Sequence, residues 1–153
     1  MVMKETMDET ELLIRVGVRD LLAKYQFLAD SGKTGELAQL FLADATFRTN
    51  TEELVGRDQI LDFFARTGKA FVSADLLPAR HHLSSVFVTP GDDATATTYA
   101  CFQLIGIHGL DHWGTYRDKV IHTTDGWRFA NRKAKVEGHV AGSPIASLLG
   151  LQG

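Results

Sequence analysis

Apolar residues recur every three or four positions between Leu12 and Leu28: Ile14, Val18, Leu21, Leu22, Tyr25 and Leu28. That is the spacing of one face of an α-helix, so the pattern predicts a helix across the stretch. Ala29-Asp30-Ser31-Gly32 ends it, because Gly32 suits the left-handed conformation that closes helices. A shorter helix is predicted from Gly35 to Phe41, with Leu37, Leu40 and Phe41 on one side. Asp44 to Thr49 reads as a short strand. Gly56 to Thr67 reads as a third helix, anchored by Ile60, Leu61, Phe63 and Phe64 and stopped at Gly68.

After Gly68 the pattern changes. His82 to Thr89 is rich in β-branched residues and ends at the turn Pro90-Gly91-Asp92-Asp93. Ala94 to His108 predicts a long strand, and Gly109-Leu110-Asp111 a turn. His112 to Thr123 predicts the returning strand, Thr124-Asp125-Gly126 a second turn, and Trp127 to Val136 the last strand. Helices first and a meander of strands afterwards predict an α+β fold: a curved antiparallel sheet covered by three N-terminal helices. Such a shape encloses a cavity suited to a small apolar ligand. The expected domain covers residues 8–140. The tail, residues 141–153, ends in the apolar piece Ile145 to Leu151, expected to cover a pocket mouth or a neighbouring subunit.

With 153 residues, 44% of them hydrophobic, the chain can build one core and is short for two domains. The formal charge of -3 is spread without a basic stripe, which argues against nucleic acid as a partner. No apolar run approaches the roughly 18 residues of a membrane span, and Met1 to Glu11 is too polar and acidic for a signal peptide. The single cysteine, Cys101, has no internal disulfide partner and fits a reducing cytoplasm.

Three features suggest chemistry. Asp30 is predicted at the C-terminal end of the first helix, where the macrodipole disfavours a carboxylate by up to about 1 kcal/mol. A compensating partner is therefore expected, unless Asp30-Ser31-Gly32 is only surface turn chemistry. His81 and His82 open a strand, so alternation should turn one ring towards the helices. A neutral imidazole accepts a proton near pH 7, and a carboxylate on its other nitrogen fixes its tautomer. Arg132 shares a strand face with the small apolar residues Ala130, Ala134 and Val136, while Phe129, Asn131 and Lys133 fall on the other. If that first face is inward, Arg132 needs a carboxylate or a ligand charge. Tyr116 alternates with Gly114 and Asp118 and is a candidate donor to a substrate oxygen. His82, His108, Trp113 and Phe27 are expected to contact substrate. No His, Cys and carboxylate set has metal-ligand spacing, and no cofactor is expected.

The segment Leu21 to Asp30, the run His81-His82-Leu83-Ser84-Ser85, Gly114-Thr115-Tyr116, Asp125-Gly126-Trp127-Arg128-Phe129 and Arg132 together resemble the SnoaL-like superfamily. The resemblance covers roughly residues 10–140. It is nearest the branch of scytalone dehydratase, bile-acid 7α-dehydratase and hexachlorocyclohexane dehydrochlorinase. It implies that Asp30 orients His81 as a base, with His82 taking the role if the register slips by one. It also implies that Tyr25, Tyr116 and Arg132 stabilise an oxyanion or leaving group, and that His108 stands for a second site histidine. One departure is the absence of a tyrosine between Thr46 and Thr51.

The expected function is that of a cofactor-free lyase removing a proton from a small, mostly apolar cyclic substrate. The alternatives are a ketone isomerase and a non-catalytic assembly module like the small subunit of ring-hydroxylating dioxygenases. A homo-oligomer, dimer or trimer, is expected as well.

Overall fold

Helix α1 runs from Glu9 to Asp30. Asp8 caps it by accepting the Glu11 N–H at 2.7 Å. Its apolar stripe, Val18, Leu21, Leu22, Tyr25 and Leu28, is buried as the spacing predicts. Gly32 follows the helix at φ +68°, the left-handed conformation expected of it. The structure, a computed structural model, describes residues 6–151. The first five residues of the polar N-terminal stretch and the last two of the tail lie outside the described residues.

Helix α2 is one turn, Thr34–Ala38, shorter than its pattern predicts. Phe41 leaves it for strand β1, Phe41–Arg48. Tertiary pairing decides this boundary: Phe41 lies beside Phe129, whose N–H donates to the Leu40 carbonyl at 2.8 Å. A short strand β2, Glu53–Val55, follows where none was expected. Helix α3 spans Arg57–Ser73 and runs straight through Gly68. A glycine inside a helix costs roughly 1 kcal/mol against alanine but ends nothing unless its φ turns positive.

Strands β3 (Arg80–Pro90), β4 (Thr95–Gly106), β5 (Gly109–Thr123) and β6 (Gly126–His139) form the predicted meander. The sheet is curved and unclosed, in the order β2-β1-β6-β5-β4-β3. It departs from a purely antiparallel sheet at one place: β1 pairs parallel with β6. The β2 hairpin and α3 carry the chain away from β1, so β1 meets the last strand in the same direction.

The helices cover the concave face. There Tyr25, Phe41, Phe47, Phe64 and Phe129 pack ring against ring, with neighbouring centroids 5.0–6.2 Å apart. Each such side chain contributes roughly 1.5–3 kcal/mol on full burial. Strict alternation puts Phe129 on the opposite face from Arg132, yet both are buried. A register shift between Lys119 and Val120 on β5 changes the phase between them.

Strand β3 is an edge strand, and α1 lies along it. Arg19 donates to the Val86 carbonyl at 2.7 Å, and Arg15 donates to the Val88 carbonyl at 2.5 Å. No helix among the described residues is long and apolar enough to cross a membrane.

Candidate active site

Asp30 is the last residue of α1, and no basic side chain stands in that final turn. Two hydrogen bonds from His81 meet its charge. The His81 backbone N–H donates to Oδ2 at 3.0 Å, and ring Nδ1 lies 2.7 Å from Oδ1. The two contacts grip backbone and ring together, so the imidazole cannot swing without giving one up. A carboxylate only accepts, so Nδ1 carries the proton and Nε2 is the basic nitrogen of the neutral ring.

His81 sits between two adjoining cavities. The inner one, about 200 Å³, is lined by Tyr25, Phe71, Phe102 and Tyr116, and by Leu148 and Leu149 of the tail. The second, about 610 Å³, lies between the end of α1, the later turns of α3 and the start of β3, and it includes Asp30 and Lys69. Ala29, Gly32, Thr34 and Gly68 border both.

A second imidazole lines the inner cavity. His112 lies 6.4 Å from His81, centroid to centroid, and packs against Phe71 and Phe102. Its Nδ1 is 2.7 Å from Oδ2 of Asp111. Burial lowers the His112 pKa below 6.5; the Asp111 hydrogen bond works against that shift and His81 adds to it. Sequence reasoning missed this residue. The signal was present, because His112 precedes Gly114, Tyr116 and Asp118 at intervals of two on the same strand face.

Tyr25 and Tyr116 line the cavity floor. Burial raises both phenol pKa values, so both remain hydrogen-bond donors at neutral pH. Arg132 lies beneath them and is not part of the cavity wall. Its guanidinium carbon is 4.0 Å from each phenol centroid, a cation–π sandwich. Its Nε and Nη2 donate to Asp118 at 2.8 and 3.1 Å, and Thr98 donates to the same carboxylate at 2.7 Å. Burial opposes the charge on Arg132 and is the largest single influence, but Asp118 together with Tyr25 and Tyr116 outweighs it and pushes the pKa up. The partner of Arg132 is therefore a protein carboxylate, and its reach to the cavity is through the two phenols.

Four expected substrate contacts lie elsewhere. His82 is exposed because alternation turns it to the outer face of β3. His108 is exposed in the turn between β4 and β5, since β4 ends at Gly106. Trp113 is on the outer face, lying over Gly138. Phe27 is 61% exposed on the solvent side of α1, under the Lys33 ammonium. Among the described residues, no group of three or more His, Cys, Asp or Glu side chains is arranged to hold a metal ion.

Solved structures share this fold. A candidate scytalone dehydratase from Novosphingobium aromaticivorans is 19% identical, with a TM-score of 0.74, over 90% of this chain and 95% of its own. An NTF2-like protein with a cystatin-like fold from the same organism is 25% identical, with a TM-score of 0.70, over 89% and 94%. Aln2 from a Streptomyces species is 24% identical, with a TM-score of 0.70, over 86% and 94%. No curated protein matches the chain. The SnoaL-like domain matches residues 10–133, most of the length, and the chain therefore belongs to the SnoaL-like family.

Proposed function

We propose that the protein is a lyase acting on a small cyclic, mostly apolar substrate, with proton transfers carried by its own side chains. The observation that carries this reading is the placement of two imidazoles side by side on one apolar cavity, each tethered at Nδ1 by a carboxylate. His81, oriented by Asp30, takes a proton from a carbon next to a carbonyl. The C–H electron pair forms the new C=C bond as the neighbouring C–O bond breaks. The imidazolium at His81 then returns the proton to the departing hydroxyl, which leaves as water. Tyr25 and Tyr116 donate to the carbonyl oxygen, where negative charge develops; one such preorganised donor is worth about 3–4 kcal/mol. His112, kept neutral by burial, accepts from a substrate hydroxyl. A cyclic hydroxy-ketone supplies all of these groups. The dehydratase name of one structural neighbour agrees with the reaction class.

The test is a panel of cyclic hydroxy-ketones followed by NMR. Wild-type protein should release water from at least one of them. His81→Ala should lose several orders of magnitude in rate with unchanged circular dichroism, and Asp30→Asn should slow the reaction strongly. A His81→Ala variant as fast as wild type would exclude His81 as the base. Tight binding with no turnover by any panel member would favour the assembly-module reading.

We also infer self-association through the outer face of the sheet, where Phe87, Ile105 and Trp113 are exposed. Within the tail, Ile145 is buried and Leu149 lines the cavity, so the exposed apolar side chains of the outer sheet face are the better candidates. Light scattering that gives a monomer at micromolar concentration would refute it.

A further inference from the structure

We propose that Asp111 and Ser143 are positioning residues for His112, through which the C-terminal segment aligns the second imidazole of the site. The inference rests on the reading of His112 as a substrate contact. The sheet is irregular where β5 begins. Leu104 pairs with His112 and Ile105 with Leu110, so Asp111 is an extra residue with no partner on β4. Alternation would send the Asp111 side chain outward. The bulge instead turns it inward beside His112, and both side chains are almost wholly buried.

A carboxylate so placed needs donors, and it has two. His112 Nδ1 lies 2.7 Å from Oδ2, and the Ser143 hydroxyl donates to the same oxygen at 3.1 Å. The backbone closes the same contact. The Val140 N–H donates to the Asp111 carbonyl at 2.9 Å, and the Ser143 N–H to the Val140 carbonyl at 3.2 Å. Residues 140–143 thus fold back onto Asp111. The chain beyond them then buries Ile145 and lays Leu148 and Leu149 on the cavity. One carboxylate oxygen, Oδ2 of Asp111, thus touches both the ring and the segment that reaches over the cavity.

The hydrogen bond to Asp111 sets which nitrogen of His112 carries the proton. Long-range 1H–15N correlation on the labelled protein, at a pH where His112 is neutral, reads this directly. Wild type should show the Nδ1–H form. Asp111→Ala should shift His112 towards the Nε2–H form. Ser143→Ala should give an intermediate position together with faster amide exchange from Ile145 to Leu149, and Ser143→Thr should restore both. His81, held by Asp30, should not move in any of them.

A His112 tautomer unchanged in both alanine variants overturns the proposal. So does a Ser143→Ala variant whose segment loosens while the ring stays fixed. If Asp111→Ala fails to fold, Ser143→Ala, which removes only a surface-proximal hydroxyl, decides alone. The ring is read without substrate. Absence of lyase turnover therefore leaves a positive result standing, and a stationary ring refutes the positioning role even in an active enzyme.

Discussion

Arg132 has no exposed surface and still carries its charge, so its surroundings must replace water. Asp118 supplies the counter-charge, and the rings of Tyr25, Tyr116 and Phe129 pack on the guanidinium, whose Nη1 has no hydrogen-bond partner among the described residues. Removing one member of a buried pair leaves the other uncompensated, at a cost of about 3–5 kcal/mol. Asp118→Ala should therefore destabilise the protein by that amount in urea denaturation. The double variant Asp118→Leu/Arg132→Met should cost clearly less than the sum of the two single changes. Additive losses would mean the pair is not coupled. His112 supports a second expectation. Its native pKa lies below the ordinary value of 6.5, so between those two limits the unfolded chain binds the proton first. Stability should fall as pH drops below 6.5, then level off beneath the native pKa. His112→Phe should flatten that limb, and an unchanged slope would assign the effect to another group. The requirement of Arg132 for a partner was readable from the small apolar residues on its strand face. Asp111 and His112 were not readable as a pair, because alternation admits only one of two neighbours to the interior and the bulge overrides it.

At the level of elements, α1 and the strand meander were legible because long periodic runs leave little choice of partner. The short pieces were not. Phe41 continues the helical pattern of α2 but is claimed by β6, and β2 is too short to show a period. Gly68 looked like a helix stop and is instead a space-maker, since nothing lies within 4 Å of where its Cβ would stand. It borders both cavities beside His81. Gly68→Leu should gain roughly 1 kcal/mol of helix propensity while filling the passage. The expected result is a melting temperature at or above wild type with loss of ligand binding by calorimetry. Binding at wild-type affinity would show that Gly68 does not border the ligand's path. Asp30 and His81, at the ends of well-formed elements, meet as their places in the sequence suggest, and Tyr25 and Tyr116 line the cavity. Trp113 and His108, expected at the substrate, lie elsewhere: Trp113 takes an outer strand position, and His108 falls in a turn because β4 ends at Gly106.

For the molecule as a whole, the parallel contact between β1 and β6 joins residues far apart in sequence: Asn131 bonds Thr46 across 85 positions. A contact between segments so far apart carries a large loop-closure cost and is expected to close late, after the local meander. Stopped-flow refolding of Asn131→Ala should leave the refolding rate nearly unchanged and speed unfolding, as for a contact formed after the transition state. A comparable slowing of refolding would place β1 docking early.

An unclosed sheet also leaves two edges, and an open edge is a template on which another chain can add a strand. The β2 edge is only three residues long. The β3 edge is long, and α1 occupies three of its backbone groups, at His81, Val86 and Val88, with Asp30, Arg19 and Arg15. Asp30 thus meets the β3 backbone through Oδ2 and, through Oδ1 of the same carboxylate, holds the His81 ring. If the proposed reaction holds, edge protection and reactivity share one side chain, so a defect seen on replacing Asp30 has to be separated into lost chemistry and lost protection against aggregation.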